Sequence, residues 1–333
     1  ALTSAGFGFN VRDIIGYFTS AVDISCVLLM NPILIEAGPL TLRAYTAWLS
    51  GALLVGLGVI AWGGWQRAPE AATRWLDVAI VALAAGIVGA RALHVALEWD
   101  YFTDHRAETW RVWEGGLAWH GGLMLAVPVA LVMMRLRRVS LGPWTDMLAL
   151  AWPIGMIGAW SGCRAAGCGY GHEVRTLADW PGWAVAELPD VYGVVAPRLD
   201  TQLAGIAFGS GLLALALLLT WRGWLRGLRF WLILALSGIG LYILGFFRAD
   251  PAVWLLDRRA DQVFDLAVLL LAVVAGGAVW LERRREASHR PLREDEQHEA
   301  YPGDRADQPE AGGRSGEPGA ASGADGAGGG AVG

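Results

Sequence analysis

The chain has 333 residues, of which 55% are hydrophobic and 18 are tryptophan, and its formal net charge is −5. This composition excludes an ordinary soluble all-α protein, because its long apolar runs have almost no polar faces. Much of the acidic charge lies in the tail after Glu286, so the net charge gives no support for a nucleic-acid partner, and we expect none.

The first 39 residues contain no uninterrupted apolar run of spanning length, because Arg12, Asp13 and Asp23 interrupt them. They also show no basic region followed by a clean apolar core, so we expect no cleavable signal peptide. The stretch VRDIIGYF is typical of an amphipathic segment that lies on a membrane surface. We therefore assign residues 1–39 to an N-terminal segment on the outer face.

Seven apolar runs follow, and each approaches or exceeds the roughly 20 residues that a helix needs to cross a bilayer. At 1.5 Å per residue, such helices match a hydrocarbon core of about 30 Å. The runs cover residues 40–62, 77–97, 117–134, 145–161, 202–221, 230–247 and 263–281. We therefore predict an all-α polytopic membrane protein, with seven transmembrane helices in a domain over residues 40–285.

Clustered arginines follow the first, third, fifth and last of these runs. Because short cytoplasmic loops carry an excess of Lys and Arg, these four segments should face the cytoplasm. The N-terminus and the loops 98–116, 162–201 and 248–261 then face outward. The longest of these loops, 162–201, forms an outer arm in this interpretation.

The C-terminal residues 286–333 are rich in Gly, Ala, Asp and Glu and nearly free of large apolar side chains. Such a segment cannot bury enough apolar surface to offset the chain entropy lost on folding. We therefore predict a disordered cytoplasmic tail over these residues.

The chain has three cysteines, and two of them, Cys163 and Cys168, are five residues apart near the outer end of the fourth run. Three interpretations are open for this pair: small apolar side chains packed at a helix end, a disulfide in an oxidising outer compartment, or a metal site. The metal site is the weakest, since the pair has no clustered partners in the sequence. Three cysteines do not make a disulfide framework.

Ionisable or strongly polar side chains at membrane depth are costly, so each is a candidate for function. The candidates at or near the outer ends of the predicted helices are Arg91, His120, Arg164, Gln202 and Arg248. Arginine donates paired hydrogen bonds to phosphate oxygens, and a helix N-terminus offers free N–H groups. Gly121 and Gly122 in the first turn of the third helix would let an anion approach the backbone. These residues together predict a cationic cavity for a lipid phosphate.

Structural roles are open for the same residues. Interfacial arginines such as Arg164 and Arg248 often extend to lipid headgroups without forming a site. A structural salt bridge to Asp250 or Glu98 explains Arg91 equally well. His120 lies between glycines at a helix mouth, which favours a functional role over simple packing.

Several short motifs occur in a fixed order along the chain. The most specific is the run Trp113-Glu114-Gly115-Gly116, followed by Trp119-His120-Gly121-Gly122. The other motifs are NPILIEAGPLTLRAYTAW with Tyr45, GARALHVALEWDYF with Arg91, TDMLALAWPIG, GCGYG, RLDTQL with Gln202, and FFR with Arg248. Over residues 31–285 this set resembles the bacterial prolipoprotein diacylglyceryl transferase family.

The resemblance implies a fold with seven spans and an outward N-terminus in the bacterial plasma (inner) membrane. It also implies transfer of the diacylglyceryl group of phosphatidylglycerol to the lipobox cysteine of a preprolipoprotein signal peptide, at a site toward the outer face. His120 matches the histidine proposed as the family's base, and Tyr45 is its possible assistant. Arg91, Gly121, Gly122, Arg164, Gln202 and Arg248 are then the phospholipid-binding candidates. The reaction implies no metal and no cofactor.

The chain departs from the family pattern at several charged or polar positions. Trp160 and Leu241 stand where the family has arginines, and Gly205 and Gly245 stand where it has glutamates. Ala166 and Ala204 replace an asparagine and a tyrosine. Two hypotheses therefore stay open: a working transferase with a rearranged set of cations, and an impaired or repurposed relative that binds phospholipid or lipoprotein signal segments. A transporter is a weaker third possibility, because the sequence has no evident internal repeat.

Overall fold

The computed structural model describes residues 33–37, 40–112, 116–190 and 192–299. Most of the predicted outer-face segment 1–39, the motif residues Trp113, Glu114 and Gly115, and the tail from residue 300 onward lie outside the described residues.

All seven apolar runs form helices. The helices are α1 Ala44–Trp65, α2 Pro69–Leu97, the short α3 Trp99–Asp104, α4 Trp119–Arg137, α5 Leu141–Ala166, α6 Thr201–Trp221, α7 Arg229–Gly245 and α8 Ala260–Glu299. The chain is therefore mostly helical, as predicted. Five helices in the described part of the chain are long and apolar enough to cross a membrane: α1, α2, α4, α6 and α8 over Ala260–Glu286. Helix α7 is apolar but shorter, and α5 is not among the five, so the count of seven spans stays a prediction.

The fold differs from a purely helical one at three antiparallel hairpins. These pair β1 Ile33–Ala37 with β2 Leu40–Arg43, β3 Val185–Pro189 with β4 Val195–Leu199, and β5 Trp254–Leu255 with β6 Arg258–Arg259. The prediction of an apolar helix from residue 40 is wrong for the first four residues, which belong to β2. Segments outside the apolar helices still need partners for their backbone groups, and a hairpin supplies them locally.

Close glycine contacts set the distance between α2 and α4. A β-carbon at Gly121 would lie 2.4 Å from the carbonyl oxygen of Gly89, and one at Gly89 would lie 2.4 Å from that of Gly121. Helix α1 approaches α5 in the same way, since a β-carbon at Gly158 would lie 2.3 Å from the Cβ of Ala52. Small residues at helix crossings are typical of membrane bundles, where backbones pack directly.

Three arginine-bearing connections lie together at one end of the bundle, which we call the arginine-rich end; they are the loops after α1, α4 and α6. Asp77 near the start of α2 pairs with Arg137 at the end of α4, with 3.1 Å between the charged atoms. The N–H of Gly227, in the loop before α7, donates to Asp146 of α5 at 2.6 Å. The grouping of these arginines on one side agrees with the charge pattern in the sequence.

The chain divides into two compact units, Ala1–Glu282 and Arg283–Gly333. The second unit is helical as far as Glu299, where α8 ends. Helix α8 thus extends into the predicted disordered tail 286–333, and the rest of that tail stays a prediction. Glu, Arg and Ala have high helix propensity, and a lack of buried apolar surface does not prevent a charged helix from forming.

Candidate active site

The predicted site residues lie at the end of the bundle opposite the arginine-rich end. There, the segment after α5 pairs with the segment after α7: the His172 N–H donates to the Phe247 carbonyl at 3.0 Å, and the Ala249 N–H donates to the Tyr170 carbonyl at 2.9 Å. The Leu199 N–H donates to the His172 carbonyl and so adds β4 to this layer. The ends of α5, α6 and α7 are thus held together by backbone hydrogen bonds.

His120 forms a buried pair with Asp265. Its Nε2 lies 3.0 Å from Asp265 Oδ1, and the two residues are 5% and 3% exposed. His120 is in the first turn of α4, while Asp265 is in the second turn of α8, so the contact joins residues 145 positions apart in the chain. The imidazole ring also lies against Trp119 and Phe264. The predicted base is therefore enclosed and oriented by the Asp265 carboxylate, to which the sequence alone assigned no role.

Arg91 is buried and binds the loop that precedes α4. Its Nε donates to the Thr109 carbonyl at 2.9 Å, its Nη1 donates to the Gly116 carbonyl at 3.1 Å, and its Nη2 donates to the Glu108 carbonyl. Gly116 has φ +69°, and a β-carbon there would lie 2.7 Å from Arg91 Nη1. These contacts fix the positions of Glu108, Thr109 and Gly116 around the guanidinium, and the salt bridge to Asp250 or Glu98 considered from the sequence stays a prediction.

The glycine pair that follows His120 packs against α2. Besides the contact of Gly121 with Gly89, a β-carbon at Gly122 would lie 3.2 Å from the carbonyl oxygen of Gly86. The free sides of both glycines are therefore occupied by a neighbouring helix. This packing accounts for their small size, and approach of an anion to them stays a prediction.

Arg164, at the end of α5, forms an ion pair with Asp200. Asp200 also caps α6, because its Oδ1 accepts from the Leu203 N–H at 2.8 Å. Next to this pair, Gln202 is 1% exposed, and its Nε2 donates to the Cys168 carbonyl at 2.9 Å. Its Oε1 is buried with no hydrogen-bond partner among the described residues. Asp200 thus links Arg164 to the helix that carries Gln202.

A disulfide joins Cys163 and Cys168, which decides between the three interpretations of that pair. It closes the turn at the end of α5, where Gly167 has φ +71°. The residues just after the disulfide contact the first turn of α6, since the Thr201 hydroxyl donates to the Gly169 carbonyl at 2.6 Å. The bridge therefore holds the connection on which Gln202 rests.

We expect Asp200→Ala to destabilise the protein by about 1–2 kcal/mol, because it removes an N-cap. The Arg164 pair adds little, since that side chain is 25% exposed and solvent screens its charge. Asp200→Asn is the matched control, because asparagine keeps a capping oxygen and loses only the charge. In detergent, the Asp200→Asn variant should therefore unfold at a higher temperature than the Asp200→Ala variant. Equal losses for the two variants would show that the ion pair, and not the cap, stabilises this end of α6.

Arg248 belongs to a cluster of two arginines and two aspartates. Its Nε and Nη2 donate to Asp250 at 2.9 and 2.6 Å, and its Nη1 donates to Asp261 at 2.9 Å. Arg259 contacts the same two carboxylates at 3.2–3.4 Å. Burial alone would lower the pKa of Arg248, but the hydrogen bond and charge of Asp250 and the charges of Asp261 and Asp265 raise it overall. Arg248 is therefore firmly charged, and it is 24% exposed.

Tyr45, in the first turn of α1, packs against α5. A β-carbon at Gly162 would lie 3.0 Å from Tyr45 Cδ2 and 3.1 Å from the Tyr45 Cα. The residue is half-buried at the same helix end as Arg164. Its predicted assistance to His120 stays a prediction.

Two of the positions that depart from the family pattern touch each other. A β-carbon at Gly205 would lie 2.3 Å from Trp160 Cδ2, so the indole lies directly on the glycine. Arg248 lies over the same indole ring, with its Cζ 5.8 Å from the Trp160 ring centre. The space where the family pattern puts an arginine and a glutamate is thus filled here by one aromatic side chain.

Neighbouring side chains also occupy the space beside the other residues that depart from the family pattern. Gln262 covers Gly245, since a β-carbon there would lie 2.6 Å from Gln262 Cγ. Leu241 packs on the apolar cluster that contains Ile233 and Leu234. The structure therefore brings His120 and Arg248 into one region through Asp265 and Asp261 on α8, and Arg164 and Gln202 into another around Asp200.

Sequence reasoning missed the acidic partners Asp200, Asp250, Asp261 and Asp265 as site residues. One signal was available: Asp261 and Asp265 are four residues apart at the start of the last helix, so they share one helix face. Which arginine or histidine they would meet depends on the packing of the helices.

Comparison with known proteins gives a consistent result. The family described as prolipoprotein diacylglyceryl transferase matches residues 32–279. Among similar proteins, the phosphatidylglycerol–prolipoprotein diacylglyceryl transferase of Geobacillus kaustophilus is 27% identical over 290 residues, covering 80% of this chain and 97% of the relative.

Proteins of the same name from two other bacteria give similar values. That of Symbiobacterium thermophilum is 28% identical over 268 residues, covering 77% of this chain and 94% of the relative. That of Bacillus velezensis is 26% identical over 255 residues, covering 74% and 90%. Because the family match extends from β1 to α8 and includes the His120 loop, the chain belongs to the prolipoprotein diacylglyceryl transferase family.

Proposed function

We propose that this protein is a phosphatidylglycerol–prolipoprotein diacylglyceryl transferase. The observation that carries the proposal is His120, a buried and oriented imidazole at the mouth of α4, in a chain whose relatives bear that name over most of their length. Its substrates are then phosphatidylglycerol and the signal peptide of a preprolipoprotein, both presented by the lipid bilayer.

The reaction has two chemical requirements. A base removes the proton of the lipobox thiol, because a free thiol has a pKa of about 8.5 and is mostly protonated at neutral pH. The thiolate then attacks the carbon of the diacylglyceryl group that bears the phosphate. A carbon–sulfur bond forms, and the bond between that carbon and the phosphate oxygen breaks. Glycerol phosphate leaves with the negative charge. His120 takes the proton in this scheme, and Tyr45 assists.

Cations stabilise the leaving phosphate. Arg164 and Arg248 suit this role, because their side chains carry a positive charge and are 25% and 24% exposed. The buried Gln202 offers a further polar contact. Arg91 contributes by holding the loop before α4, and a direct contact of Arg91 with the lipid stays a prediction, as do contacts at Gly121 and Gly122.

The protein crosses the bacterial plasma membrane seven times in this proposal, with its N-terminus and site toward the outer face. The arginine-rich end of the bundle supports this orientation, because cytoplasmic loops carry the excess of positive charge. The site residues lie at the opposite end. A disulfide between Cys163 and Cys168 at that end fits an oxidising compartment.

The alternative is an impaired or repurposed relative that keeps the lipid-binding bundle. The filled space at Trp160 and Gly205 favours it, because two charged positions of the family are replaced together. A rearranged cation set at Arg164 and Arg248 is the competing interpretation.

Complementation separates the two. We expect this chain, expressed in a strain depleted of its own transferase, to attach diacylglycerol to a reporter preprolipoprotein, detected as a mass increase on the lipobox peptide. A reporter with serine in place of the lipobox cysteine should stay unmodified. An unmodified cysteine reporter, despite folded protein in the membrane and phosphatidylglycerol vesicles supplied in vitro, would contradict the proposal and favour the binding relative.

A further inference from the structure

The carboxylate of Asp265 is placed to control the protonation of His120. It meets His120 Nε2 at 3.0 Å, and both side chains are almost fully enclosed. The rings of Trp119 and Phe264 lie on the imidazole at 3.8 and 5.2 Å between ring centres. A hydrogen bond in such an enclosed place is strong and directional, because water does not compete for it.

The protonation of Asp265 determines which imidazole nitrogen is free. An ionised carboxylate only accepts hydrogen bonds, so the Nε2 that faces Asp265 must carry the proton. The neutral imidazole then has its lone pair on Nδ1, and Nδ1 is the nitrogen that can take a proton from a substrate. A protonated Asp265 would instead donate to Nε2 and leave the proton on Nδ1.

The other charged groups near Asp265 cancel each other, which leaves its contact with His120 as the main interaction that favours an ionised carboxylate. Two arginines, Arg248 and Arg259, and two aspartates, Asp250 and Asp261, form the neighbouring cluster and balance each other in charge. Arg248 and Asp261 are the charged groups besides His120 that act on Asp265. In the described part of the chain, His120 is the hydrogen-bond partner of Asp265, so an imidazolium there would find a matched counter-charge.

We propose that Asp265 is a positioning residue that holds His120 in the Nε2–H tautomer, which makes Nδ1 the base atom. When Nδ1 accepts the proton of the substrate thiol, the carboxylate stabilises the imidazolium. The proton stays on the imidazole until glycerol phosphate or water removes it. This inference rests on the proposed function, and it adds the atom that acts and the residue that orients it.

The kinetic test uses Asp265→Asn in the full-length protein, assayed with phosphatidylglycerol vesicles and the reporter peptide. The amide has nearly the same size, but it can present N–H to Nε2 and so favours the wrong tautomer. We expect kcat to fall by about 10²–10⁴-fold, while KM for the lipid changes by less than about threefold. Adding His120→Gln to Asp265→Asn should cause little further loss, because the two residues act as one unit.

Asp77→Asn is the matched control. Asp77 also lies in a helix and pairs with a cation, Arg137, but both side chains are exposed and lie at the arginine-rich end. Its kcat and KM should equal those of the unmodified protein. A kcat for Asp265→Asn within about threefold of the unmodified value would overturn the inference, provided that the unmodified protein is active.

A second measurement depends neither on activity nor on folding of the Asp265→Asn variant. In unmodified protein labelled with ¹⁵N-histidine and placed in nanodiscs, the His120 signals are assigned by their loss in His120→Gln. We expect Nε2 to carry the proton and Nδ1 to have none. A proton on Nδ1 of the neutral ring would overturn the inference. If the unmodified protein transfers no lipid, the proposed function fails, and this measurement still decides the tautomer.

Discussion

We expect His120→Gln to reduce the rate of diacylglyceryl transfer by about 10²–10⁴-fold, the contribution typical of a general base. Glutamine keeps a polar side chain that can contact Asp265, so the enclosed site should persist, but it cannot accept the thiol proton. The loss should appear in kcat with reporter peptide and phosphatidylglycerol vesicles. Binding of the lipid should change little, because the arginines are untouched.

His105→Gln is the control for this substitution. His105 is exposed in the loop after α3, and its ring stacks on Tyr101 at 4.3 Å between ring centres. Its replacement should leave the rate unchanged. If His120→Gln kept more than a tenth of the activity, another group would have to be the base, and Tyr45→Phe would then be the next variant to measure.

The second large effect concerns the contact between Trp160 and Gly205. Trp160→Arg removes a buried indole and puts a second cation beside Arg248, and Gly205→Glu drives a side chain into the space of that indole. We expect each change to lower the free energy of unfolding by about 3 kcal/mol or more, from lost burial and overpacking. The double variant restores the charge pair of the family pattern. Its loss in free energy of unfolding should therefore be smaller than the sum of the two single losses by about 1–3 kcal/mol.

Thermal unfolding of the purified proteins in one detergent measures this cycle. Two milder variants on α6 provide the control: Gly205→Ala should be destabilising, because its methyl group would meet the indole, whereas Gly211→Ala meets no atom within 4 Å. Strict additivity of Trp160→Arg and Gly205→Glu would show that the two positions do not act as a pair.

The apolar helices and the site end could be predicted from the sequence, because both follow from patterns that are local along the chain. The run 202–221, for example, became α6 Thr201–Trp221, since twenty mostly apolar residues without a charge leave few other structures. Likewise, alternation of helix direction placed His120, Arg164, Gln202 and Arg248 at one end. The His120 loop and its neighbours also indicated the family, because motif order is a property of the sequence alone.

The partners of those residues were decided only by the tertiary structure. His120 meets Asp265 across 145 positions, Arg164 meets Asp200 across 36, and Trp160 lies on Gly205. Hydropathy and periodicity indicate which residues form a helix and at which end they lie, but not how each helix is rotated about its axis or which neighbour it faces. Those choices come from the packing of all helices at once, and with them the structure decided whether an arginine binds a carbonyl or an aspartate.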